Sequence, residues 1–407
     1  MSLDDRLRDD ATAMAGELSE LRHELHRHPE IGLDLPRTQQ TLLRELDGLG
    51  LETTLGSSLT SVTAVLRGGA GGDATVLLRG DMDALPITEA TGIEFSSEID
   101  GAMHACGHDL HMTMLVGAAR LLAAHRNVLH GDVVFMFQPG EEGWDGAGHM
   151  IREGVLERAG RRVDSAYGMH VMSAKYPRGT FVTRPGTLMA ASDQLEVTVR
   201  GAGAHGSNPH LGRDPISTAA EIVSGLHALV TRRFDVFDPV VLTVGVMRGG
   251  TMRNIIPDEA YFDATIRSFS VEARARMHEE APRLCEHIAA AHGLDIEVTY
   301  REEYPVTVNN VDHTAFVGQV AREVFGDDRF QPLEYPETGA EDFSRVLAEV
   351  PGCYLFLGAV PEGDHLSAPT NHRPRAVFSD SVLPQGTLLH AELAVRALAR
   401  DSAGKAA

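Results

Sequence analysis

The chain has 407 residues, which is too long for one hydrophobic core and favours two domains, and its 43% hydrophobic content excludes a disordered or fibrous protein. The net charge of -22 argues against nucleic acid or an anionic membrane surface as a partner, because both are bound mainly through Lys and Arg. The N-terminus has no export signal pattern, and no apolar run is long enough to span a bilayer, so we expect a cytoplasmic protein.

The N-terminal part of the chain alternates helical and strand patterns. Leucines at helical spacing predict helices over 5–28 and 36–49. An apolar helical pattern follows at 110–125. Runs rich in β-branched residues predict strands at 61–66, 75–79 and 132–137. Such alternation predicts an α/β fold with a largely parallel sheet and helices on both faces.

The pattern changes near residue 190. Apolar and polar residues alternate at 195–199 and 262–266, which predicts antiparallel strands with one face exposed to solvent. Helical patterns at about 214–230 and 271–292 accompany these strands.

The patterns of the N-terminal part return near the C-terminus, with an apolar strand at 353–357 and a helix at about 384–399. We therefore predict a discontinuous catalytic domain of residues 1–188 and 305–407, with an inserted α+β domain of residues 189–304.

Polar clusters follow the predicted strands, where ligand crevices form in an open α/β sheet. Asp81 and Asp83 stand two positions apart, so both side chains point the same way in an extended segment. A solvated turn is an equally common explanation for such a pair taken alone.

The segment from Met103 to His111 contains three histidines, a cysteine and an aspartate. Thiolate and imidazole suit a borderline-soft divalent ion, and Gly107 lets the backbone turn Cys106 and His108 toward one centre. The chain's three cysteines are too few, and odd in number, for a disulfide framework. We interpret Cys106 and His108 as metal ligands and leave the neighbouring His104 and His111 as supporting or structural residues.

Glu141 and Glu142 follow the most apolar predicted strand. Adjacent carboxylates in a non-helical turn point in different directions, so one can bind metal while the other acts as a general base. His170 and His372, each isolated, would by themselves more often be structural. Together with the other clusters they give five or six candidate ligands, which favours two ions over one closed tetrahedral zinc site.

Taken together, these motifs resemble those of the M20 metallopeptidases, in particular the amidohydrolase branch with hippurate hydrolases and indoleacetyl-amino-acid hydrolases. The similarity runs nearly from end to end. The motifs that carry it are His26-Arg-His-Pro-Glu30, Asp81-Met-Asp-Ala-Leu-Pro86, His104-Ala-Cys-Gly-His-Asp109, Gln138-Pro-Gly-Glu-Glu-Gly143, Gly168-Met-His170, Gly203-Ala-His205, Asn254-Ile-Ile-Pro257, Gly339-Ala-Glu-Asp-Phe343 and His372-Arg-Pro374.

The resemblance implies two divalent ions bridged by Cys106, with His108 and His170 on one ion and Glu142 and His372 on the other. His372 is preferred to His365 because His-Arg-Pro fits the family pattern better.

The resemblance also implies that Glu141 is the general base and that Asp83 orients a ligand. Asp81 stands where related enzymes have a histidine. The inserted domain resembles a lid and dimerisation domain, which implies a homodimer with His205 stabilising the oxyanion and Asn254 and Arg267 binding the substrate's carboxylate.

The expected activity is hydrolysis of the amide bond of an N-acyl amino acid. A dipeptidase or carboxypeptidase with the same site is the alternative, and a catalytically silent binding protein is disfavoured by the intact Glu141 and Glu142 pair. The donor set suits zinc, cobalt or nickel, while manganese or nickel would be unsurprising for this branch.

Overall fold

The computed structural model describes residues 2–405, which form two compact units. The first unit comprises the residues up to Leu188, Val308–Tyr335 and those from Arg345 onward, and the second comprises Met189–Thr307 and Pro336–Ser344. Among the described residues, no helix is long and apolar enough to cross a membrane.

The first part of the chain supplies five helices and seven strands. In chain order they are α1 (Leu3–Ala13), α2 (Ala15–Arg27), α3 (Pro36–Leu46), β1 (Glu52–Leu55), β2 (Val62–Leu66), β3 (Ala74–Asp81), α4 (His108–Ala124), β4 (Gly131–Gln138), α5 (Gly146–Arg152), β5 (Ser165–Met172), β6 (Phe181–Thr183) and β7 (Gly186–Met189). The single helix predicted over 5–28 is wrong, because α1 and α2 are separate and meet at Met14.

The next part forms an antiparallel sheet and two long helices. Its elements are β8 (Ala191–Arg200), β9 (Ala204–His205), α6 (Pro215–Arg233), β10 (Val240–Gly249), β11 (Ile255–Ile256), β12 (Glu259–Ser268), α7 (Val271–Ala291) and β13 (Asp295–Tyr304). The sheet has the order β10-β12-β8-β13, and α6 and α7 pack on it. Buried and part-exposed residues alternate along β8, as the sequence pattern predicts.

The remaining part returns to the first sheet. Its elements are β14 (Thr307–Asn309), α8 (Val311–Phe325), β15 (Phe330–Pro332), α9 (Ser344–Glu349), β16 (Gly352–Gly358) and α10 (Leu383–Lys405). The predicted strand near 353–357 and the predicted C-terminal helix are confirmed.

The eight-stranded sheet has the order β1-β2-β4-β3-β5-β16-β6-β15. Its central strands β4, β3, β5 and β16 run parallel to one another, and β1 and β2 add an antiparallel edge. Strands β3, β4 and β16 are buried along their whole length, which explains their continuous apolar sequences. With α4 and α10 packed on β3, this arrangement confirms the predicted fold class.

The register of the central strands positions the polar clusters. Asp81, the last residue of β3, pairs with Gln138, the last residue of β4. On the other side of β3, Arg79 pairs with Gly168, two residues before His170. Because these strands are parallel, their carboxyl ends lie at the same edge of the sheet, and the predicted clusters converge there.

Candidate active site

Cys106 lies at the centre of a group of metal-ligating atoms. Its Sγ is 3.2 Å from His170 Nε2 and 3.2 Å from His372 Nε2. His372 Nε2 is also 3.1 Å from Glu142 Oε1, although that oxygen has no hydrogen bond of good geometry among the described residues. Donor atoms about 2.0–2.3 Å from a zinc-sized ion lie roughly 3.0–3.6 Å from one another, so these separations suit a shared ion.

Two overlapping groups of candidate metal ligands share the Cys106 thiol. One set is Cys106, His108 and His170, and the other is Cys106, Glu142 and His372. Within each set, the candidate ligand atoms all lie within 4.8 Å of one another. Neither ring nitrogen of the buried His108 has a hydrogen-bond partner in the part of the chain that the structure describes. A buried imidazole that makes no hydrogen bond and lies beside a thiol fits a metal ligand, so the residues present are suited to bind two divalent ions.

A left-handed glycine creates the turn that presents Cys106 and His108. Gly107 has φ +84°, and a Cβ at this position would lie 2.4 Å from Val171 Cγ2. Helix α4 begins directly after it, at His108. Only glycine combines this backbone conformation with the close approach to β5.

His372 also adopts a left-handed conformation, with φ +65°, which is strained for a residue with a side chain. The neighbouring Asn371 holds this turn in place. Its Oδ1 accepts a hydrogen bond from the Ser173 backbone N–H (2.9 Å), and its Nδ2 donates to the carbonyls of Val171 (3.0 Å) and Cys106 (3.3 Å). His365 lies elsewhere on this loop, 3.9 Å from Asp364.

The orientation of His170 is set by the backbone. Its Nδ1 donates to the Val171 carbonyl at 2.8 Å, which leaves Nε2 free to face Cys106. Burial, reinforced by the nearby His111, holds the pKa of His170 well below its usual value, so the ring is neutral. A neutral imidazole with one nitrogen fixed by a carbonyl is the usual state of a metal-bound histidine.

Asp81 and His111 form a buried pair behind the ligands. His111 Nδ1 is 2.5 Å from Asp81 Oδ1, and its Nε2 accepts a hydrogen bond from the Val171 N–H at 2.8 Å. Asp81 also pairs with Arg79, and its Oδ2 is 3.6 Å from His108 Nε2. Burial opposes the charge on Asp81, but Arg79 and the histidines outweigh it and hold the pKa of Asp81 well below its usual value.

Asp83 fixes the loop that contains the two glutamates. Its carboxylate accepts hydrogen bonds from the backbone N–H groups of Glu141 (2.9 Å) and Glu142 (3.0 Å). Asp83 Oδ1 also lies 3.6 Å from His108 Nδ1. The Glu141 carboxylate lies 4.0 Å from His108 Nε2, whereas the Glu142 carboxylate faces His372. The two adjacent glutamates therefore occupy different positions in the site.

Carboxylates outnumber the positive groups in the site. Burial, with the nearby Glu142, Glu141 and Asp81, raises the pKa of the Cys106 thiol well above its usual value. Burial lowers the pKa of His108, but Asp81 and Asp83 outweigh burial and raise it to about 10. This site favours positive charge, and a divalent cation would displace the Cys106 proton on binding.

A family model described as peptidase family M20/M25/M40 matches residues 77–396, most of the chain. The chain belongs to family M20. M20 relatives include the thermostable carboxypeptidase 2 of Saccharolobus solfataricus, 37% identical over 97% of this chain and 99% of the relative. The hippurate hydrolase of Campylobacter jejuni is 34% identical over 95% of this chain and 97% of the relative.

Among solved structures, this M20 chain is similar to a dinuclear metal-binding M20 peptidase from Bacillus subtilis. The TM-score is 0.81 at 31% identity, over 95% of this chain and 99% of the other. The chain is thus a hydrolase of family M20, and its nearby relatives include both carboxypeptidases and amidohydrolases.

In the second unit of this M20 hydrolase, two of the predicted residues lie together. His205 pairs with Ile255 between β9 and β11, and the Gly206 N–H donates to the Asn254 carbonyl at 2.8 Å. Both His205 and Asn254 line an open cavity of about 1350 Å³. Arg248, near the end of β10, lines the same cavity.

Arg267 lies near the other end of β12 and lines a different cavity. Its guanidinium donates to Ser192 Oγ at 2.8 Å and to Thr265 Oγ1 at 2.7 Å. Within one chain, the second unit therefore does not bring Arg267 together with Asn254.

Asn371 is not among the predicted site residues, and His111 is predicted only as a supporting or structural residue. Asn371 contacts Cys106, 265 positions earlier in the chain, so no local pattern indicates the contact. The only sequence feature that could have indicated a role for Asn371 is its position directly before the predicted ligand His372. His111 follows His108 by three positions on α4, a spacing that puts both on one face of the helix.

Proposed function

We propose that this protein is a metal-dependent amidohydrolase that cleaves the amide bond of N-acyl-L-amino acids. The observation that carries the proposal is the pair of ligand sets sharing Cys106, with the Glu141 carboxylate next to them. Cys106, His108 and His170 would hold one divalent ion, and Cys106, Glu142 and His372 the other. The similarity to hippurate hydrolase, over nearly the whole chain, supports an N-acyl amino acid as the substrate.

When bound, the ions would polarise the amide carbonyl and lower the pKa of water at the site. Glu141, whose carboxylate is mostly buried, takes the proton from the attacking water and returns it to the departing amine. Asp83 positions Glu141 for this step through the backbone N–H groups of the loop. The products are a carboxylic acid and a free amino acid.

The second unit would supply the groups that bind the substrate's oxygen atoms. His205 Nδ1 accepts a hydrogen bond from the Ser207 N–H at 3.1 Å, so in the neutral ring Nε2 carries the proton. That exposed N–H can donate to the oxyanion. Asn254 and Arg267 would bind the substrate's carboxylate. We further propose that residues 189–304 act as a lid and form a homodimer, in which the two chains together complete this set.

A carboxypeptidase is the second candidate, because a thermostable carboxypeptidase is 37% identical over almost the full length. Both reactions use the same water, base and ions, and they differ in whether the acyl side is a simple acid or a peptide.

A substrate panel separates the two functions. Metal-stripped protein is reloaded with zinc, manganese, cobalt or nickel, and release of amino acid is measured for N-acetyl amino acids, N-benzoyl amino acids, dipeptides and longer peptides. Hydrolysis of N-acyl amino acids with a higher kcat/KM than any peptide supports the proposal. A preference for peptides would support the carboxypeptidase, and no turnover with any ion would overturn both. The Glu141→Gln variant controls for contaminating hydrolases.

A further inference from the structure

The chain contains one tryptophan, Trp144, two positions after the paired glutamates of the site. Its side chain is 53% exposed. Burial of a tryptophan side chain stabilises a fold more than burial of most other residues, and an exposed indole does not contribute that stabilisation. The catalytic loop therefore presents a large apolar ring to water, within about 11 Å of Glu141 along the chain.

One face of the indole lies against Gly32. A Cβ on Gly32 would meet Trp144 Cε2 at 3.3 Å, Nε1 at 3.5 Å and Cδ2 at 3.6 Å, so the ring lies flat over the Gly32 backbone. Gly32 has φ +84°, and a larger residue there would displace the ring. Ile31, 38% exposed, precedes Gly32 and pairs with Ala84, the residue after Asp83. Ile31 and Trp144 thus form an apolar rim beside the catalytic carboxylates.

The loop that carries Trp144 is fixed on both sides. Before it, the N–H groups of Glu141 and Glu142 donate to Asp83. After it, Asp145 adopts a left-handed conformation with φ +57° and pairs with Arg345. The indole is therefore held in its exposed position before any ligand binds, which lowers the entropy lost on binding.

We propose that Trp144 is a specificity-determining residue on which the acyl group of the substrate packs, and that it favours flat aromatic acyl groups over acetyl. This inference rests on the proposed function. Asp145 is paired with Arg345, and the indole itself is uncharged, so Trp144 suits the uncharged acyl end of the substrate rather than its carboxylate. A flat aromatic ring can stack on the exposed part of the indole or meet it edge-on, whereas acetyl is too small for either contact.

The first test compares N-benzoylglycine and N-acetylglycine as substrates. Trp144→Ala should raise KM for the benzoyl substrate by about two- to tenfold, the usual contribution of an aromatic pair, and leave KM for the acetyl substrate unchanged. Trp144→Phe should keep KM for the benzoyl substrate close to the wild-type value. Val311→Ala is the matched control, because Val311 is 64% exposed on the first turn of α8, beside the amino end of β16 and away from the ligands. Equal effects of Trp144→Ala on both substrates would overturn the inference.

The second test uses the emission of the protein's single tryptophan. Titrating N-benzoylglycine into metal-loaded Glu141→Gln protein should change the emission saturably, and N-acetylglycine should change it much less. An unchanged emission, with binding shown by calorimetry, would overturn the inference. If the wild type hydrolyses no N-acyl substrate, the proposed function fails; an emission that still responds to N-benzoylglycine would then support packing of an aromatic acyl group on Trp144 independently of that function.

Discussion

Asp83 is the residue whose replacement most directly tests how the site is built. In Asp83→Asn, the side chain keeps one acceptor oxygen and gains an N–H₂ group, so it can accept from only one of the Glu141 and Glu142 N–H groups. The other buried N–H then faces a donor. A hydrogen bond to a charged group contributes about 1.5–3 kcal/mol. If its loss shifts the two glutamates and raises the activation free energy by that amount, kcat/KM falls by about 10- to 150-fold.

The assay is kcat/KM with saturating metal, together with metal affinity from competition with a chromophoric chelator. We expect kcat/KM to fall within that range and metal affinity to fall by about 10- to 100-fold, as is usual when a group that orients metal ligands is lost. Asp132→Asn is the matched control. Asp132 is also a poorly exposed carboxylate, but it lies near the amino end of β4 and pairs with Arg67 (2.7 Å) and Arg161 (2.8 Å). Its replacement should lower the stability of the fold and leave kcat/KM and metal affinity unchanged. If Asp83→Asn kept wild-type kcat/KM and metal affinity, the role of Asp83 in positioning this loop would be refuted.

Three further predictions concern other parts of the molecule. Cys106→Ala should weaken binding of both ions, because its Sγ is 3.2 Å from a histidine of each ligand set; full metal occupancy by elemental analysis would contradict this. His205→Ala should lower turnover by about 100- to 1,000-fold with metal content unchanged, and a parallel loss of metal would argue against an oxyanion role. The third concerns His26, where burial lowers the pKa but Asp109 outweighs it and raises the pKa from 6.5 to about 8. This raised pKa stabilises the fold by about 2 kcal/mol below pH 6.5, and the gain is lost as pH rises through 8. The melting temperatures of wild type and His26→Gln should therefore differ more at pH 6 than at pH 9, and a constant difference would contradict this.

The fold class could be predicted because the sequence switches from continuous apolar strands, as in β4, to alternating strands, as in β8. Burial on both faces dictates the first pattern, and burial on one face dictates the second. The convergence of Asp81, at the end of β3, and Glu142, just after β4, could also be predicted, since residues at the ends of parallel strands meet at one edge.

The contacts that hold the site together could not be predicted in the same way. Asn371 and Cys106 are brought together by the fold, and the same is true of His111 and Val171. Such pairs are far apart in sequence, and neither residue carries a local signal of its partner. The break between α1 and α2 at Met14 was missed for another reason, because leucine periodicity continues across it.

The central claim is that Glu141 moves the proton whereas Glu142 holds metal. The most direct measurement is the metal content of dialysed wild type, Glu141→Gln and Glu142→Gln by elemental analysis, with turnover measured on the same samples. Wild type and Glu141→Gln should each retain about two divalent ions, with turnover in Glu141→Gln reduced by about 100- to 10,000-fold, while Glu142→Gln should lose metal. Equal metal loss in the two variants, or wild-type turnover by Glu141→Gln, would contradict this assignment.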